Sequence, residues 1–287
     1  MDFATIIGMI IGISLVAIGM YDFDAGSIPG AFFNLQGLAI VLGGTLAATI
    51  INYPASTILS MVRVAGKALG KQYFQNPLSV INQLVEYNKM SRKQGLIALE
   101  NVLPDIENNY MRIGLENAIL EKDANKLNNF LQNELQNMVI RHRNGQEMFY
   151  NMGTYAPAFG LLGTVMGLIL MMTTQGETSS VASFADQAQD TTGKLLHGMG
   201  IALVTTFYGV LLANLIFIPI AGKLKTRSDE EVHISEIIMA GIQSIHAKEH
   251  PLIMEEKLLT FVDKQTRERH RSAQAAAEAA EAEMLEI

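Results

Sequence analysis

Residues 148–176 read MFYNMGTYAPAFGLLGTVMGLILMMTTQG, a run with no charged side chain. At 1.5 Å per helical residue this run exceeds the roughly 20 residues needed to cross a bilayer. Core helices of soluble proteins rarely stay uncharged and apolar for so long. Three further stretches share the property: Phe3–Tyr21, Ala25–Val62 and Leu195–Gly222. Together they predict an all-α membrane protein with four transmembrane helices, arranged as two pairs around a polar middle. None of the four carries an acidic residue. A chain that moved cations alone is expected to hold a carboxylate near the bilayer centre, so any ion path here is expected to borrow one from a partner.

The mean hydropathy of +0.22 averages two kinds of sequence. Residues 63–147 and 223–287 are rich in charge and read as soluble helices. The chain is accordingly divided into a first transmembrane pair (1–54), a cytoplasmic helical domain (55–147), a second pair lining the ion path (148–222) and a cytoplasmic C-terminal helix and tail (223–287). Only Asp2 precedes the first run, which lacks the basic leader and cleavage site of a secretory signal, so the first span is expected to be retained. Eleven Lys/Arg lie between Arg63 and Arg143 and nine from Lys223 onward, whereas the links Asp22–Gly30 and Thr178–Gly193 have no base. Positive residues stay on the cytoplasmic side, which places the middle region and both termini there. Cysteine is absent, which excludes disulfide and thiol chemistry.

Along the chain, Pro29-Gly30 turns into the second span and Pro54 ends it. Residues 55–72 predict an amphipathic helix with Ile58, Met61, Val62 and Ala65 on one face. Asn76-Pro77 opens another helix, whose periodicity runs through Val80, Leu84 and Tyr87 and on through Leu96, Leu99 and Leu103. Residues 105–135 give further helices, with Ile113, Leu115, Ile119 and Leu127 apolar. The Ala/Glu-rich tail after Arg271 reads as frayed helix or disorder. Two motifs are set aside. Ala65 to Gln72 imitates a phosphate-binding loop but lacks its first Gly, its Ser/Thr and a preceding strand. His246 to His250 has the H-x-x-E-H spacing of a zinc protease, but Pro251 follows and no third ligand is evident. No enzyme activity, cofactor, bound metal or nucleic-acid partner is expected, and membrane lipid is.

The last two stretches hold the chemistry. Pro157, Gly160, Thr164 and Gly167 share one side of a helix, and Gly198, Ala202, Thr205, Gly209 and Ala213 form a second stripe with Thr206 beside it. Small-residue stripes let helices approach closely or line a narrow path. Thr164, Thr205 and Thr206 offer hydroxyl oxygens there, either as ion ligands or bonded back to their own helix carbonyls. Pro157 and Pro219 each remove a helix hydrogen bond, as a fixed kink or as a hinge.

Here the residues resemble a known family. Pro157-Ala158-Phe159-Gly160-Leu161-Leu162-Gly163-Thr164 resembles the third-span signature of the flagellar stator subunits MotA and PomA. Thr205-Thr206-Phe207-Tyr208-Gly209 and Ile218-Pro219-Ile220-Ala221 resemble the fourth, and Arg92 to Glu100 resembles the family's cytoplasmic charged motif. The third-span pattern is shared with the ExbB and TolQ energisers of envelope processes, but those have one span before the insert. The leading pair here favours the stator branch.

The resemblance implies a homopentamer around two copies of a single-span MotB/PomB-like partner. That partner is anchored to peptidoglycan in the bacterial inner membrane and supplies the ion-carrying Asp. H+ or Na+ flow would be converted into torque on the rotor protein FliG. On the same basis Thr164, Thr205 and Thr206 belong to the ion path, Pro157 and Pro219 to coupling, and Arg92 and Glu100 to the rotor interface. Eight residues apart on one helix, these last two would lie about 80° apart around its axis. Asn34 aligns where some sodium-driven relatives carry an outer Asp, and it brings no charge. Thr164 matches a hydroxyl found in sodium-type and proton-type members alike, so the ion stays open.

Overall fold

A computed structural model describes residues 3–68, 70, 75–173 and 184–272. The residues described are helical, apart from caps, turns and one isolated antiparallel bridge between Asp22 and Ser27. The chain separates into two compact units, residues 1–72 with 141–227, and residues 73–140 with 228–287.

In the first unit, α1 (Phe3–Met20) is uncharged throughout and ends at the bridge. There the Asp22 carboxylate accepts the Asp24 N–H at 2.9 Å and Gly26 takes a positive φ of 66°. A 3-10 turn at Gly30–Phe32 leads to α2 (Leu35–Leu38), whose N-terminus is capped by Asn34. A π turn (Ala39–Gly43) joins α2 directly to α3 (Gly44–Asn52), and Tyr53-Pro54 stops the run, as the sequence predicts. The amphipathic helix α4 (Ala55–Ala68) follows. It packs Ile58, Met61 and Ala65 on a core with Val41, Met148, Met152, Ala156 and Phe217, so it clusters with the apolar helices rather than with the polar insert. Val62 departs from the predicted face and is exposed.

Among the described residues, three helical segments are long and apolar enough to cross a membrane: Gly30–Asn52, Ala124–Thr173 and Leu195–His246. The apolar run Thr5–Met20 is shorter. The helix α7 (Ala124–Thr173) has 50 residues, about 75 Å at 1.5 Å each. After it come α8 (Phe184–Leu212), a π turn (Ala213–Phe217) and α9 (Ile218–His246) without a break. Pro219 explains that π turn. It has no N–H for the Leu215 carbonyl, and the widened turn keeps its ring clear of that oxygen.

The second unit packs α5 (Pro77–Gln94), α6 (Asn109–Leu120), the start of α7, the end of α9 and α10 (Pro251–Leu259) around Ile81, Leu84, Met111, Leu115, Leu131, Ile237 and Ile242. Asn76 caps α5 through the Leu78 N–H at 3.1 Å, and Asn108 caps α6 through Met111 N–H at 3.0 Å. Each satisfies an N–H that the first helical turn leaves unpaired. The periodicity that suggested one helix through Leu96 and Leu103 is broken. Gly95 takes φ 88° and ends α5, and 3-10 turns follow at Leu96–Asn101 and Leu103–Asp105. His246 closes α9 and bonds the Glu121 carbonyl at 2.8 Å, while His250 caps α10, so the two histidines do not share a helix face. Of the tail, 264–272 is helical, and the stretch expected to fray lies outside the described residues.

Candidate functional site

The site is an antiparallel seam between α7 and α8, and its glycines set its closeness. A methyl on Gly167 would lie 2.7 Å from the Gly198 carbonyl oxygen, and one on Gly160 would lie 2.9 Å from that of Thr205. One on Gly209 would lie 2.6 Å from the Ala156 carbonyl oxygen and 3.1 Å from the Pro157 Cα. No other residue fits these three positions without moving a backbone. Gly198, Ala202, Thr205, Gly209 and Ala213, the stripe read from sequence, are all buried.

The three threonines separate. Thr205 is fully buried between Gly163 on α7 and Gly37 on α2, and its hydroxyl donates to the Ala202 carbonyl of its own helix at 2.9 Å. Thr164 likewise donates to Gly160 at 3.0 Å, but its oxygen also lies 3.1 Å from that of Thr206. Thr206 is exposed on the outside of this chain and Thr164 is half-buried. The seam therefore presents one hydroxyl pair, Thr164–Thr206, at its open edge, while Thr205 serves packing.

Pro157 lies inside α7 without interrupting it, and its Cα is part of the wall against which Gly209 packs. Pro219 is exposed at the second position of α9. Asn34 is half-buried, and its side-chain oxygen accepts the Gly37 N–H at 2.8 Å, so one of its two lone pairs is taken. Its backbone N–H donates to the Tyr208 hydroxyl at 3.0 Å. Arg92 and Glu100 do not share a helix, because the positive φ at Gly95 separates them. Each is exposed next to a buried neighbour, Ser91 and Leu99, which fixes its backbone in the core of the second unit.

Sequence reasoning missed the polar ties that hold the first helix pair to the second. Asn151 donates to the Tyr53 hydroxyl at 2.7 Å, and Asn52 donates to that of Tyr155 at 3.2 Å. Tyr208 holds the connector before α2. An Asn or Tyr inside an uncharged stretch was the available signal, since such groups need partners where water is scarce.

Residues 103–237 match the MotA/TolQ/ExbB proton channel family. The chain is 33% identical over 263 residues to Motility protein A of Treponema phagedenis, covering 92% of this chain and 95% of that protein. It is 28% identical over 263 residues to chemotaxis protein PomA of Vibrio alginolyticus, covering 92% and 96%. The structure of the flagellar MotAB stator complex from Bacillus subtilis matches with a TM-score of 0.77 at 28% identity, covering 92% of this chain and 98% of that one.

Proposed function

The chain belongs to the MotA/TolQ/ExbB proton channel family, and from that premise we propose that it is the ion-conducting stator subunit of a flagellar motor. Its similarity to motility proteins over nearly their whole lengths supports this branch, rather than an energiser of another envelope process. On this reading it is a channel subunit and not an enzyme. α1 serves as the first of four spans, with both termini cytoplasmic in the bacterial inner membrane. Five copies surround a MotB/PomB-like single-span partner anchored to peptidoglycan.

The observation that carries the mechanism is the Thr164–Thr206 hydroxyl pair at the open edge of an acid-free seam. One elementary charge crossing 100 mV releases about 2.3 kcal/mol. Burying a bare cation between apolar helices costs more than that, and two neutral hydroxyls offset only part of the cost. A carboxylate on the partner chain facing the pair completes the site, and H+ or Na+ passes between them. Asn34 stands at the start of the second span beside the turn that carries Thr206, with one lone pair of its amide oxygen still open. Pro157 and the Pro219 π turn bend the two spans as the ion passes, and Arg92 and Glu100 carry the motion to a charged face of the rotor protein FliG.

Expression of this chain with its single-span partner in a host lacking its own stator genes tests the proposal. Restored swimming that needs both chains is expected, and Pro157→Leu is expected to abolish it at normal membrane abundance. Unimpaired swimming of that variant would refute the coupling role of Pro157.

A further inference from the structure

We infer that Tyr208 is a positioning residue for the ion path, tying the start of the second span to the helical turn that carries Thr206. The inference rests on the stator reading above. Its phenol donates to the Phe32 carbonyl and accepts the Asn34 N–H at 3.0 Å. Those two backbone groups stand where the chain leaves a 3-10 turn and enters α2, outside any regular ladder. In an apolar setting each needs a partner, and one hydroxyl, able to donate and accept at once, serves both.

Three neighbours of Tyr208 complete the arrangement. The Phe207 ring meets that of Phe32 edge to face, with centroids 5.8 Å apart. Thr205 sits against Gly37, where a methyl would come within 3.2 Å of its Cγ2, and Thr206 reaches Thr164. Each side chain of the turn Thr205–Tyr208 is thus committed, three to the second span and its connector and one to the hydroxyl pair. The second span begins at the level of Thr205, ten residues or about 15 Å into α8 from Leu195. The first helix pair therefore reaches the ion-bearing turn itself. A shift of the connector moves Tyr208, and with it the direction in which Thr206, two residues earlier, presents its oxygen.

Tyr208→Phe removes the hydroxyl and keeps the ring. The full-length variant is produced with its partner in the stator-deleted host. Swimming speed is titrated against external sodium at fixed pH and against external pH at fixed sodium, with membrane abundance measured alongside. The expected result is normal abundance and a half-saturating ion concentration raised about three- to tenfold, the span that one lost hydrogen bond is worth. An unchanged half-saturation overturns the inference, whether speed is normal or is reduced through lower abundance, since a merely structural tie changes only the number of working units. If Tyr208→Phe does not accumulate, Phe207→Leu is read instead. It removes the ring contact and keeps the phenol, and a rise in the same direction is expected, with no rise overturning the inference. Failure of the unaltered chain to restore swimming strikes the stator reading, and the inference with it.

Discussion

Of the two adjacent threonines, one turns inward to pack and the other presents its oxygen. Thr205 is enclosed by Gly37 and Gly163 and spends its proton on Ala202, while Thr206 meets Thr164 at the open edge. Valine matches threonine in shape and lacks only the hydroxyl. Thr205→Val is therefore expected to keep most of the swimming speed, and Thr206→Val to lose most of it at equal membrane abundance. Equal loss from both variants contradicts the assignment. The sequence alone left both threonines open, because helical spacing places them on adjoining faces and cannot say which face a second helix covers. The glycine stripe was legible, since a contact this close excludes any side chain. The Tyr208 tie was not, because its partners are main-chain atoms far away in the sequence.

At the scale of elements, the seam and the caps set the stability. A methyl at position 167 would come within 2.7 Å of the Gly198 carbonyl oxygen, so Gly167→Ala must part α7 from α8. The expected cost is about 1–3 kcal/mol, read as a lower unfolding temperature of the detergent-solubilised protein. In the second unit, Gly95→Ala forces a side chain onto φ 88°. It is expected to cost at least about 1 kcal/mol and to impair swimming without altering ion conduction. The continuous apolar periodicity across Gly95 suggested one helix through Glu100, because side-chain spacing is blind to a backbone angle that glycine alone adopts readily. Asp263 caps the 264–272 helix, and hydrogen bonds from the Thr266 side chain and backbone hold its carboxyl below the usual range. A depressed carboxylate stabilises above its unfolded value and stops doing so as pH falls through its folded one. Amide protection in 264–272, taken relative to intrinsic exchange at each pH, is therefore expected to fall as pH falls through the lower carboxylate range, and Asp263→Asn is expected to flatten that dependence.

At the scale of the whole molecule, the two units divide the work. The first holds the seam, the hydroxyl pair and both prolines, and the second holds Arg92 and Glu100 on a backbone anchored by Ser91 and Leu99. Arg92→Glu or Glu100→Arg is thus expected to impair swimming while leaving ion conduction unchanged. The uncharged stretches were enough to read an all-helical membrane protein, since hydrophobic length acts locally along the chain. The missing acid was equally legible, and it points to a carboxylate on a second chain. The most direct measurement is ion flux into cells that co-express this chain with its single-span partner freed of any plug, comparing the unaltered pair with the pair carrying Thr206→Val and with this chain alone. Flux is expected from the unaltered pair, little from the Thr206→Val pair at equal abundance, and none from this chain alone. Full flux without the partner, or undiminished flux through the Thr206→Val pair, would contradict it.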